Sequence, residues 1–225
     1  MEKELESYLK NLLPPKKEWV TKLENQAMEE NVPIMDPVSI HFLMQLVKVH
    51  KPKSILEIGT AIGYSALRMV EAYPETSVVT IERDEHRYQQ ALQNIQLLEK
   101  QSTIQVIKGD ALEKIKELPQ DQLFDLIFID AAKGKYKQFF KLANDYLTPN
   151  GVIVSDNVLF KGYVADPFKQ HPRYQKMATS IRAYNEWLIQ LPNYETTIVP
   201  IGDGVAITTR NESKEEQDLC KENQL

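Results

Sequence analysis

The sequence predicts an α/β fold: a mostly parallel sheet with helices on both faces. Three observations carry this. Short apolar runs near 53–58, 77–81, 103–107, 124–129 and 151–155 alternate with helix-period stretches near 63–73, 84–100, 111–118 and 134–147. The first run stops at a glycine turn, Glu57-Ile-Gly59-Thr-Ala-Ile-Gly63, and a helical pattern begins near Tyr64. Two last apolar runs, between Tyr194 and Thr209, flank Gly202-Asp203-Gly204 and predict an antiparallel hairpin. The parallel strands and the hairpin together make a seven-stranded sheet.

The remaining elements follow from local pattern. Residues 2–12 and 16–30 predict two amphipathic helices parted by Pro14-Pro15. Leu5, Leu9, Leu12 and Leu13 form one apolar stripe; Trp19, Val20, Leu23 and Ala27 form another. Their expected role is packing on the domain or on a second subunit. A homodimer through these helices, or through 160–175, is one expected assembly. Asn31 to Pro37 is a proline-bracketed connector, and a helix follows from Val38 to His50 with Phe42, Leu43, Leu46 and Val47 inward. The long segment 160–175 runs through Gly162, Pro167 and Pro172 to a helix over Tyr174–Gln190. Residues 1–210 read as one domain, with 1–50 supplying N-terminal helices, and 211–225 as a polar acidic tail.

Bulk properties narrow the class. The chain has 225 residues, enough for one α/β domain with a full core. No apolar run approaches the ~20 residues that cross a bilayer. The N-terminus is charged and lacks a signal-peptide core. The one cysteine, Cys220, lies in the tail, so no disulfide framework is expected. A cytoplasmic protein with no membrane partner is the expectation. The net charge is −5, and the tail alone holds five acids against two bases. Overall acidity therefore says little about the functional face.

Acids cluster where strands end. Glu82 closes the second run, Gly109-Asp110 follows the third, Asp130 closes the fourth, and Asp156-Asn157 follows the fifth. In open α/β sheets, ligands bind at the carboxyl ends of the strands. Acids gathered on one rim repel unless a cation or ligand hydroxyls lie between them. The turn between Gly59 and Gly63 is not the G-x-G-x-x-G dinucleotide fingerprint. It still lets a ligand approach the backbone at the start of a helix. Two carboxylates and an amide oxygen, from Asp130, Asp156 and Asn157, are hard donors that suit Mg²⁺. His41, His50, His86 and His171 are scattered and form no competing cluster. Lys133, three residues past Asp130, reads either as a proton acceptor beside a cation or as a lysine paired with those acids.

Several motifs together resemble the metal-dependent O-methyltransferases of the catechol and caffeoyl-CoA type. They are Gly59-Thr-Ala-Ile-Gly-Tyr-Ser65, Ile81-Glu-Arg83, Gly109-Asp-Ala111, Ile129-Asp-Ala-Ala-Lys133, Asp156-Asn157 and Gly202-Asp-Gly204. The likeness runs from about Val32 to Arg210. It implies a Rossmann-like class I methyltransferase fold and S-adenosylmethionine as cofactor. By this resemblance Met35, Gly59 and Ser65 lie around the methionine part, Glu82 takes the ribose hydroxyls, and Asp110 and Ala111 hold the adenine edge. Asp130, Asp156 and Asn157 bind Mg²⁺ or a similar cation, with Asp130 also near the cofactor, and Lys133 is the base. Asp203 is a weak candidate for the acid that holds a second substrate oxygen.

A narrower likeness sets the expected acceptor. Val32-Pro-Ile-Met35, Gly59-Thr-Ala-Ile-Gly-Tyr-Ser-Ala66, Asp156-Asn-Val-Leu-Phe-Lys-Gly162 and Pro200-Ile-Gly-Asp-Gly204 resemble the bacterial tRNA 5-hydroxyuridine methyltransferases. This implies methylation of a wobble 5-hydroxyuridine to 5-methoxyuridine, with the tRNA anticodon loop as partner. Lys133, Lys135, Lys137 and Lys141, with no acid among 133–141, predict a basic rim. Lys161, Lys169, Arg173, Lys176 and Arg182, against Asp166, extend it. Phe160, Tyr163, Phe168 and Tyr174 are interleaved, for base stacking or for packing the loop. The alternatives are a small-molecule O-methyltransferase acting on catechols or caffeoyl-CoA-like phenols, and a non-catalytic cofactor-binding module.

Overall fold

A computed structural model describes residues 3–166 and 174–211. Cys220, the tail beyond Asn211, and Pro167, Phe168, Lys169, His171, Pro172 and Arg173 lie outside the described residues. The N-terminal helices are α1 (Lys3–Asn11), α2 (Glu18–Glu29) and α3 (Pro37–His50). Then come β1 (Ser54–Ile58), α4 (Tyr64–Ala72), β2 (Ser77–Glu82), α5 (Glu85–Leu97), β3 (Ile104–Lys108), α6 (Ala111–Lys114) and β4 (Phe124–Ile129). The chain continues with α7 (Tyr136–Ala143), β5 (Leu147–Asp156), α8 (Gln175–Ile189), β6 (Tyr194–Val199) and β7 (Val205–Arg210).

The sheet order is β3-β2-β1-β4-β5-β7-β6. The first five strands are parallel, and β7 runs antiparallel to both β5 and β6. Alternation along each strand divides the core. Ile55, Val78, Leu126, Phe128 and Val154 face α2, α3 and α4. Leu56, Ile58, Val79, Ile127, Ile129 and Ile153 face α6, α7 and α8.

Caps set several helix starts. The Asp36 carboxylate accepts from the backbone N–H groups of Val38 (2.9 Å) and Ser39 (3.3 Å), with Pro37 at the first helical position. Asp84 and Asp110 cap α5 and α6 in the same way. Two expected boundaries move. The 134–147 helix closes at Ala143 in a 3₁₀ turn, and β5 begins at Leu147, where it pairs with Phe124 across an irregularity in register. Phe42 and Leu46 are half-buried, while Ile40 and Met44 take deeper places beside Leu43 and Val47. The two N-terminal stripes differ. Val20, Leu23 and Ala27 of α2 are buried, but Leu5, Tyr8 and Leu12 at α1 stay exposed.

Register builds the functional rim. Ile58 pairs with Ile129, and Ile129 with Ser155, so Gly59, Asp130 and Asp156 leave the sheet at one level. The ladder continues past the strand ends: Asp130 N–H donates to the Ile58 carbonyl (3.0 Å), and Gly59 N–H to that of Ile81 (3.1 Å). The hairpin tip joins the rim because Gly202 (φ +54°) packs on the Asp36 and Ser39 side chains, where a Cβ would collide. Among the described residues no helix is long and apolar enough to cross a membrane.

Candidate active site

A cavity of about 560 Å³ opens at the carboxyl ends of β1, β2, β4 and β5. This is the usual size of a small-molecule site. Met35, Gly59, Ser65, Glu82, Asp110, Ala111, Asp130, Lys133, Asp156 and Asn157 all line it. Residues up to 122 positions apart in sequence thus share one wall.

One half is built around β1 and β2. Gly59 (φ +106°) lies so close to the Asp130 carbonyl that no side chain fits there. Its open backbone faces the cavity. The Glu82 carboxylate accepts from the backbone N–H groups of Ala61 (2.9 Å) and Asp84 (2.8 Å). Those bonds aim it and leave further lone pairs for ligand hydroxyls. Ala61 adopts φ +47° to make its contact. Beneath this floor, Glu57 is fully buried and receives hydrogen bonds from Ser65 Oγ and from Thr80 Oγ1 (2.6 Å). Burial pushes the Glu57 carboxyl up to about 8, against those two hydrogen bonds.

The other half is built around β4 and β5. The Lys133 ammonium donates to Asn157 Oδ1, and Asn157 Nδ2 donates to Asp156 Oδ2 (3.1 Å). Asn157 sits in the left-handed region at φ +58°, which turns its amide back over the strand end. Asp156 is 2% exposed, and its Oδ1 is buried without a hydrogen-bond partner. Burial pushes its carboxyl well above the usual range, and the Asp130 charge adds to the push. Burial also raises Asp130, against the pull of Lys133. Two crowded, desolvated carboxylates with an orphaned oxygen fit a hard divalent cation, which would supply the missing partner. The Tyr136 hydroxyl donates to the Asp156 backbone carbonyl (3.0 Å) and stacks edge-on with Tyr184, fixing the strand end from below.

The rim differs from expectation in three respects. Lys133, Lys135 and Lys161 line the cavity, but Lys137 and Lys141 lie over the Trp187 ring instead, 4.8 and 5.9 Å from its centroid. Arg182 turns inward, donating to the Val164 (2.9 Å) and Tyr163 (3.3 Å) carbonyls. Phe160, Tyr163 and Tyr174 pack on one another, with centroids 5.5–5.9 Å apart, so they build the loop. Arg83, read only as part of the Ile81-Glu-Arg83 motif, and Arg87, not singled out from the sequence, also line the cavity. Their signal was their place just past Glu82, Arg83 on the turn leaving β2 and Arg87 in the first turn of α5. Asp203 also lines the cavity. Its carbonyl accepts from Leu159 (2.7 Å) and Phe160 (3.2 Å), and its carboxylate from Lys161 N–H (3.3 Å), which fastens the loop after β5 to the hairpin.

The family model for O-methyltransferases matches residues 7–211. The chain belongs to the O-methyltransferase family. It is an S-adenosylmethionine-dependent O-methyltransferase of the catechol and caffeoyl-CoA type. It is 31% identical over 176 residues to a catechol O-methyltransferase from Niastella koreensis, covering 76% of this chain and 80% of that one. It is 30% identical over 178 residues to caffeoyl-CoA O-methyltransferase from Medicago sativa, covering 75% and 71%. The structure of an O-methyltransferase from Bacillus cereus in complex with SAH superposes with a TM-score of 0.81 at 27% identity, covering 92% of this chain and 97% of that one. The methyltransferase fold expected from the motifs is therefore the fold of this family.

Proposed function

We propose that this O-methyltransferase, with a bound Mg²⁺, methylates the 5-hydroxyl of a wobble 5-hydroxyuridine in tRNA. The observation that carries the reading is the composition of one cavity. Its floor holds the Asp130, Asp156, Asn157 and Lys133 cluster, and its wall adds Lys161 and Lys135, the latter 3.8 Å from the Asp110 carboxylate. Five basic and five acidic side chains balance in the lining, and these lysines are the groups that would meet an acceptor's phosphate.

Roles follow from position. Met35, Gly59 and Ser65 surround the methionine part of the cofactor, Glu82 accepts from the ribose hydroxyls, and Asp110 and Ala111 flank the adenine. S-adenosylmethionine supplies an electrophilic methyl on a sulfonium. Asp130, Asp156 and Asn157 would hold the Mg²⁺, which would supply positive charge beside the acceptor oxygen. Lys133, poised on Asn157 Oδ1, takes the hydroxyl proton on its Nζ in its neutral form. The acceptor oxygen forms its bond to the methyl carbon as the sulfur–methyl bond breaks. Orientation by the cavity wall and charge control by these side chains supply the catalysis.

A second reading is a small phenol, and the relatives' names favour it: one is a catechol O-methyltransferase, another a caffeoyl-CoA O-methyltransferase. A catechol offers two adjacent oxygens, as 5-hydroxyuridine does with its O4, and a CoA thioester is anionic. The deciding experiment supplies labelled S-adenosylmethionine and Mg²⁺ with tRNA from cells lacking this protein, and separately with catechol and caffeoyl-CoA. Label in tRNA as 5-methoxyuridine supports the first reading. Label only in the phenols replaces it with the second. Cofactor binding without turnover on any acceptor would leave a binding module.

A further inference from the structure

We infer that Lys137, Lys141 and Trp187 form a docking track for the phosphate backbone of the RNA, outside the cavity. The inference rests on the tRNA reading above. Lys137 and Lys141 stand one helical turn apart on α7, on the same exposed face. Helix α7 contains no acid. Among the described residues neither lysine makes a salt bridge. Both ammonium groups instead share the Trp187 ring.

That ring is fixed from behind. Trp187 meets Phe140 edge-on, with centroids 5.2 Å apart, and leans on Tyr184 at 6.1 Å. Two like charges over one indole repel each other, and neither Asp145, four residues past Lys141, nor Glu186, beside Trp187, pairs with them. An anion between the lysines relieves the repulsion. The ring also holds their ammonium groups in place, which lowers the ordering cost of binding. Helix α7 begins directly after the Lys133–Lys135 turn that lines the cavity, so Lys137 stands in its first turn beside the mouth and Lys141 one turn further down the flank. A catechol held in the cavity has no phosphate to offer these lysines. A polyanion inserting one base into the cavity meets them with its flanking phosphates.

The test is the Lys137→Gln/Lys141→Gln double variant, compared with the unaltered protein on tRNA carrying 5-hydroxyuridine. The expected result is a KM for tRNA raised about tenfold, with S-adenosylmethionine binding and any turnover of catechol unchanged. The slope of log affinity for tRNA against log salt should shrink by about 1.4–1.8, for two lost phosphate contacts. In a Trp19→Phe background, Trp187 fluorescence should change on adding tRNA. An unchanged KM and salt slope overturn the track and leave the tRNA reading standing. A parent enzyme that methylates only phenols overturns both.

Discussion

The two halves of the cavity treat their carboxyl groups in opposite ways. On the β1–β2 side, Glu57 is surrounded by hydroxyl groups of its own chain, and Glu82 is held by two backbone N–H groups. On the β4–β5 side, Asp156 keeps an oxygen with no partner, and Asp130 crowds it. A carboxylate that the fold satisfies is a support or a pre-aimed acceptor. A carboxylate that the fold leaves short is costly, by about 1–3 kcal/mol for an unmade bond. Such a cost is retained where a ligand repays it. Under the proposed function, the first half would serve the organic cofactor and the second a cation and the reacting oxygen.

The largest effect should come from Asp156. Asp156→Asn is expected to lower turnover about 10³-fold, the equivalent of about 4 kcal/mol of lost charge stabilisation. Cofactor affinity, measured by calorimetry, should stay within a few fold, and the rise in Tm produced by Mg²⁺ should vanish. An enzyme that works equally well in EDTA would break the contrast outright. Lys133→Met comes next. Its single-turnover methyl-transfer rate should fall about 10²-fold, with acceptor KM little changed. A rate equal to that of the unaltered enzyme would reduce Lys133 to a structural partner of Asn157.

Glu82→Ala should act on the other half. It is expected to weaken cofactor binding roughly tenfold or more, since hydrogen bonds to a charged group contribute about 1.5–3 kcal/mol. The Mg²⁺-induced change in Tm should survive in this variant, and its loss would show that the two halves are not separable. The smallest effect is a slope. Glu57 binds its proton up to about pH 8 in the folded chain, against a reference value of 4.5. Between these values the native state holds the proton and the unfolded chain has lost it. Stability contributed by this group is therefore full below pH 4.5 and falls as pH rises to about 8, by up to ~1.4 kcal/mol per unit. Urea melts of Glu57→Gln across that window should show the slope reduced. An unaltered slope would mean that Glu57 is ionised in the folded protein.

Much of this was legible in the chain itself. Apolar runs and helix-period stretches are local patterns, so the strands, the helices and the hairpin could be read without a partner in view. The acids at strand ends were legible for a related reason. A parallel sheet sends all its carboxyl ends to one rim, so Glu82, Asp130 and Asp156 had to converge once the alternation was seen. Boundaries were less secure: β5 starts at Leu147 because pairing with Phe124 extends it, which no local signal announces.

Tertiary structure decided what depends on where side chains end. It placed Lys133 on Asn157, sent Lys137 and Lys141 to Trp187, and turned Arg182 inward to loop carbonyls. It buried Phe160 among Tyr163 and Tyr174 rather than offering them to a base. It also gave Glu57 its hydroxyl partners from α4 and β2 and left Asp156 one short. The physical reason is the range of the interactions. Backbone periodicity is set by neighbours a few residues away, whereas a charged group is settled by whatever the packed sheet brings within about 3 Å, from any distance along the chain.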